Sequence, residues 1–487
     1  MPASSHTLPR GPWAAPSCSA QGPAAAWFGA ASSGVALCGA LLAGHVALGW
    51  LLSQSKAVAT IHAVVATVAA FGLTLSIPRP TVVLAVCCYI AGCEVLWRMS
   101  GAAIFWETAK YVIALALVIS LGRRENARAP AAAVFYFALL LPSSLLTLAY
   151  LDWTPARQQL SFNLSGPLAL SLAVIYFSNV RFRMQDLRTA AMALAAPAIA
   201  IAAVVARRIT ALGEIDFGMD SNFAASGGFG PNQVAAVLGL GALVCLLSAL
   251  FCRLGTVERW ASLTLFAALL LQSALTFSRG GAYLALAASG GATLFLCRTS
   301  AARGKLLLAA SVLTAAGFAA LPYADAWAGG LLIERFTTPD LTHRDQLLRD
   351  DLAVWAEHPV FGVGPGRASE ERGTEFGGAA AHTEYTRALA EHGLFGLASV
   401  AILAGMTWRR FSSTVDPAEK ALLVALLLWP LLFMGVNSMR LVAPSLLFGL
   451  AFAHWAPATS PANAFPEAFT FRRRSRQTSR QSYRKTP

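Results

Sequence analysis

Charge is scarce in this chain. Only 13% of its 487 residues are Asp, Glu, Lys or Arg, against 56% hydrophobic residues. A soluble globular domain carries roughly 25% charged residues, so that class is excluded. A mean hydropathy of +0.58 points instead to an integral membrane protein. The alternation of apolar and polar residues that marks a transmembrane barrel is missing, which leaves helices as the spanning element. The eight cysteines lie mostly inside apolar runs and form no CxxC pair in a loop; they imply neither a disulfide framework nor zinc. HExxH motifs, EF-hand loops and Cys/His clusters are absent, so no metal site and no cofactor are expected. No repeat of fixed period stands out.

What is present is a succession of apolar runs, each about 17 to 25 residues and able to cross roughly 30 Å of hydrocarbon as a helix. They fall near 26-52, 57-77, 80-97, 102-121, 130-151, 165-180, 188-206, 232-252, 258-277, 281-297, 304-324, 393-411, 418-436 and 441-457. The pattern predicts an all-α polytopic membrane protein of about 12–14 transmembrane helices with a large helical loop. Short basic loops at 123–128, 181–188, 252–259, 297–305 and 408–420 alternate with loops poorer in Lys and Arg. The positive-inside rule then places both termini in the cytoplasm. It also places two long loops, 207–231 and 325–392, and the turn Ser278–Gly281 on the outer face.

Residues 1-25 read as a disordered cytoplasmic lead, 26-457 as the membrane domain and 458-487 as a basic cytoplasmic tail. The net charge of +13 owes seven basic residues to FRRRSRQTSRQSYRKTP in that tail. Anionic lipid headgroups are its expected partner, and no nucleic acid is, because the tail lacks a folded reading surface.

The larger loop has helical patterning of its own. At about 100° per residue, a helix over 343–357 puts Leu348, Leu352 and Trp355 on the side of Arg344. A guanidinium on a buried face needs an anion or carbonyls; the bland alternatives are a pair with Asp351 or a side chain snorkelling past the helix end. Arg349 falls on the polar side and reads first as a solvated charge. A second helix starting near Thr383 puts His382 with Tyr385, Thr386 and Leu389, opposite Glu384, Arg387 and Glu391. His382 is therefore either a helix-end residue or a base facing inward. Gly362-Val363-Gly364-Pro365-Gly366 lacks the Lys-Ser/Thr of a nucleotide loop and reads as a tight turn. In LTFSRGGAY, Arg279 sits at the outer interface, where it either snorkels to lipid phosphate or suits a lipid-linked pyrophosphate. Asn232, in SGGFGPNQ, either caps the next helix or faces the site. Glu94, Glu107 and Lys110 are intramembrane charges, of which Glu107 and Lys110 have the spacing to pair with each other.

The ordered set FGPNQ (229–233), TFSRGG (276–281), Arg344 through HPVFGVGPG (358–366) and HTEYTRALAEHGLFGL (382–397) resembles the O-antigen ligase and O-antigen polymerase superfamily of bacterial inner-membrane glycosyltransferases. The resemblance covers about residues 200–450. It implies a multispan helical enzyme, without metal or nucleotide-sugar donor. Such an enzyme moves a glycan from an undecaprenyl-pyrophosphate carrier to a sugar hydroxyl on the periplasmic face. The acceptor would be lipid A core or another lipid-linked glycan. Carried over, the family's loop His and loop Arg fall on His382 and Arg344, and its SRGG arginine on Arg279. Arg349, Asn232 and Tyr385 join Arg279 as candidates for holding pyrophosphate or glycan. The family's frequent His-Asn is His382-Thr383 here, and upstream of the Gly-Pro-Asn segment the chain offers Arg207 and Arg208. A rival reading, a transporter or flippase for a lipid-linked oligosaccharide, would use Glu94, Glu107 and Lys110 as a midplane path.

Overall fold

The computed structural model describes residues 31–338, 344–372 and 381–456, so the lead 1-25 and the tail 458-487 lie outside the described residues. The described chain is helical almost throughout. Eight helices are long and apolar enough to cross a membrane, and Cys38–Leu52 and Thr108–Leu121 are shorter apolar helices. Pro231–Phe251 is apolar all round and almost wholly buried, so it forms the centre of the bundle. Ala302–Trp327 is also apolar but hardly buried, so its side chains face outward from the protein.

Two expected spans take a different form. The run 130-151 is split into Ala131–Ala138 and Ser144–Tyr150. Pro142 lies in the break, where its missing N–H and its ring oppose a continuous helix. The run 441-457 holds only the short helix Ala443–Leu450, followed by the strand His454–Ala456. That strand pairs in parallel with Arg181–Arg183, a small ladder that apolar periodicity does not reveal.

The basic loops gather at one end of the bundle. There Arg188 pairs with Glu258 at 2.7 Å, Lys305 donates to the Leu250 carbonyl at 2.7 Å, and Arg410 donates to the Ala451 and Ala453 carbonyls at 2.8 Å each. The long loops gather at the other end. Arg208 donates there to the carbonyls of Gly227 and Met99 at 2.6 and 2.8 Å, and Arg98 donates to the Arg440 carbonyl at 3.0 Å.

The helix Glu384–Ser413 joins that end to the membrane domain and is broken at Gly393, whose φ of 58° is a left-handed value. The break frees carbonyls at the end of the first segment. Amides of the glycine turn take them: Val363 N–H donates to Ala390 at 3.0 Å and Gly364 N–H to Glu391 at 2.9 Å. Gly362, Gly364 and Gly366 all have positive φ, which is the tight turn expected from the sequence.

Candidate active site

The SRGG turn is built by close packing. Gly281 lies so near Ala235 that a Cβ would run into its carbonyl, and the Ser273 hydroxyl donates to that carbonyl at 2.9 Å. Only a glycine permits this approach between the helices Arg279–Leu296 and Pro231–Phe251. Phe277, just before the turn, has φ 59°, and its carbonyl accepts from Arg335 Nε at 3.2 Å. The Ser278 hydroxyl donates to Asn232 Oδ1 at 2.7 Å. Gly230 is the residue that caps the helix, with Pro231 in its first turn. The capping role weighed for Asn232 therefore falls away, and Asn232 ties the helix to the turn. Arg279 Nη1 donates to the Thr338 carbonyl at 2.6 Å.

Arg344 opens the helix Arg344–Glu357. The pairing with Asp351 that the heptad spacing allows does not form. Asp351 is buried against Arg372 at 2.5 Å and accepts from the Thr386 hydroxyl at 2.7 Å. Among the described residues no acid and no hydrogen bond engages Arg344. Burial, and then the neighbouring Arg279 and Arg335, lower its pKa. Three guanidiniums from three segments thus converge.

His382 stands one residue before the helix cap. Thr383 does the capping, its hydroxyl oxygen accepting from the amides of Tyr385 and Thr386 at 3.1 and 3.2 Å. The helix-end explanation of His382 is thereby taken up by its neighbour. The imidazole is half-buried and makes no hydrogen bond among the described residues. Burial, then Arg344, Arg440 and Arg372, push its pKa down to about 4. It is therefore neutral at neutral pH and able to accept a proton.

The remaining candidates are placed less centrally. The Tyr385 hydroxyl donates to the Leu431 carbonyl at 2.8 Å, which holds the ring against the helix Pro417–Val436. Arg349 is 76% exposed and lies 3.8 Å from Asp345, so the structure does not bring it to the arginine cluster. Arg207 and Arg208 also stay apart, bonded to Gln54 and to backbone carbonyls. Glu107 and Lys110 do not form the ion pair that their spacing allows, and Lys110 Nζ is buried with no hydrogen-bond partner among the described residues. Among the described residues no group of three His, Cys, Asp or Glu side chains is arranged to hold a metal ion.

Several residues of the site escaped the sequence reading. Arg335 and Arg440 carry no periodic signal, and only the fold sets them beside Arg344 and His382. The polar side of the His382 helix is also buried rather than solvated. Arg387 joins both Glu384 and Glu391 and donates to Asn163 Oδ1 at 3.1 Å, while Glu384 accepts from the Met439 amide at 2.9 Å. The spacing of Glu384, Arg387 and Glu391 does signal ion pairs, but not their burial.

Residues 260–401 match the family model Wzy_C, described as O-antigen ligase. No curated protein matches the chain. The matched segment contains Arg279, Arg335, Arg344, the glycine turn and His382, and this match supports the O-antigen ligase and polymerase superfamily as the family of this chain.

Proposed function

We propose that this protein is a bacterial inner-membrane glycosyltransferase. In this reading it transfers a glycan from an undecaprenyl-pyrophosphate carrier to a sugar hydroxyl on the periplasmic face. The family match supports the coarser statement, a membrane enzyme of the ligase or polymerase type. The observation that carries the finer one is the pair Arg344 and His382, which no hydrogen bond engages among the described residues, at the end of the bundle away from the basic loops. A buried guanidinium without a counter-charge is costly. A pyrophosphate supplies that counter-charge, so Arg279, Arg335 and Arg344 are its proposed cradle, with Asn232 holding the turn that presents Arg279.

The chemistry is a single displacement. The acceptor hydroxyl oxygen attacks the anomeric carbon, its proton passes to His382, and the bond to the pyrophosphate oxygen breaks. The arginines meet the charge left on that oxygen with permanently charged, planar donors. Attack opposite the leaving group inverts the anomeric centre. No step calls for a metal or a nucleotide sugar, and the absence of a paired-carboxylate pattern fits transfer rather than hydrolysis.

His382→Ala and Arg344→Ala are expected to abolish glycan transfer by purified enzyme while leaving the protein in the membrane. Wild-type rates from either variant would remove these roles. Product analysis in a deletion strain then separates the two acceptor classes. Loss of a polymerase leaves a single-repeat capped product, and loss of a ligase leaves long carrier-linked chains with no attachment.

A further inference from the structure

A second guanidinium that no carboxylate pairs among the described residues lies beside His382. Arg440, in the segment between the last two helices, donates Nε to the Ser438 hydroxyl at 3.1 Å and Nη2 to the Ala381 carbonyl at 3.3 Å. The latter contact sets it beside His382. Neither partner is charged, and among the described residues no carboxylate pairs with Arg440. Both Arg344 and Arg440 act on His382 and lower its pKa.

The segment is held firmly in place. Arg98 donates to the Arg440 carbonyl at 3.0 Å, to Gln233 at 3.1 Å, to Glu94 at 2.7 Å and to the Trp106 carbonyl at 2.7 Å. Glu94 in turn accepts from the Val442 amide at 2.7 Å. A buried ion pair thus anchors the backbone on both sides of Leu441, yet the guanidinium it presents is left without an anion. The same Arg98, stacked 4.4 Å from the Trp106 ring centre, walls a cavity of about 190 Å³ whose lining includes Trp97, Phe105 and Trp106. Aromatic walls with a few fixed polar groups suit the apolar faces and hydroxyl edges of a sugar ring.

We infer that this region is the acceptor subsite: Arg440 takes an anionic substituent of the acceptor saccharide, and the cavity beside Trp106 takes a neighbouring ring. The inference rests on the proposed function. It gives the acceptor a guanidinium of its own beside His382, in addition to the three proposed for the pyrophosphate. The anionic substituent is a carboxylate or a phosphate, both of which match a guanidinium fork.

The test uses the full-length enzyme with lipid-linked donor and an acidic core oligosaccharide as acceptor. Arg440→Gln is expected to raise the acceptor KM by about tenfold or more, a loss of one charge-assisted contact, with the donor KM unchanged. Trp106→Ala, at an exposed position, should raise the acceptor KM alone as well. D-glucuronate and glucose 6-phosphate serve as competitors that separate carboxylate from phosphate recognition; one of them should compete in the wild type and not in Arg440→Gln, while D-glucose should not compete. A donor KM that rises in step would assign Arg440 to the pyrophosphate, and unchanged values for both substrates would remove it from the site. Should the wild type transfer no glycan, the proposed function fails, and calorimetric binding of the two anionic sugars to wild type and Arg440→Gln still decides the anion site.

Discussion

His382 illustrates how a residue's meaning depends on what surrounds it. Its pKa of about 4 results from burial and from Arg344, Arg440 and Arg372, so the ligand-free imidazole is neutral but weakly basic. An anionic substrate among those arginines opposes the same effect and makes His382 a stronger base when the acceptor is in place. The dependence of kcat/KM on pH reports the ligand-free enzyme. Its acid limb should therefore fall near pH 4, not near the ordinary histidine value of about 6.5. A pyrophosphate esterified at both ends has only strongly acidic hydroxyls and does not titrate in that window. Removing a neighbouring cation favours the protonated imidazole, so Arg440→Gln should move the limb upward. A wild-type limb at the ordinary value, or a limb unmoved in the variant, would contradict this account of the base.

At the scale of elements, the helix Glu384–Ser413 shows which signals the sequence carried and which it withheld. The order of FGPNQ, TFSRGG, Arg344, the glycine turn and His382 was legible because each piece is local. Helical period misjudged the buried face of the Arg344 helix, where Leu347, Asp351 and Val354 are buried while Leu348 and Leu352 on the side of Arg344 are exposed, and it does not apply to His382, which precedes the helix cap Thr383. Period does not tell whether the polar side of the helix Glu384–Ser413 meets water or another helix, and here it meets the helix Trp153–Phe177 through Asn163. Nor does it bring Arg335 or Arg440 to the site, because contacts such as Arg440 with Ala381 join distant segments. The buried network should be needed for folding, since Arg387 neutralises two carboxylates that have side-chain exposures of 8% and 4%. Arg387→Met leaves both carboxylates buried and unpaired, a loss of about 3–5 kcal/mol by comparison with other broken buried pairs. Thermal unfolding of the detergent-purified protein should show a markedly lower Tm for Arg387→Met and an almost unchanged one for Arg349→Met, at an exposed position. Equal Tm values would mean that the network does not stabilise the helix carrying His382.

For the whole molecule, composition was enough to give the all-α membrane class, and the positions of the apolar runs were legible because a bilayer demands length and apolarity alone. Breaks inside those runs depended on single residues such as Pro142. The sidedness of the bundle follows from charge. One end carries Arg188, Arg410 and Lys305 at the helix ends beside the short basic loops, and the other carries the long loops and the arginine cluster. Basic short loops stay on the cytoplasmic side, so the cluster end should face the periplasm, where a lipid-linked glycan would meet it. Two exposed positions test this in a background without other cysteines. Cys297 lies at the basic end, and Phe105, 77% exposed, lies on the loop beside the proposed acceptor cavity. In intact spheroplasts a membrane-impermeant maleimide should label Phe105→Cys and spare Cys297, and both should react once the membrane is permeabilised. The reverse pattern would turn the arginine cluster toward the cytoplasm and, with it, exclude transfer on the periplasmic face.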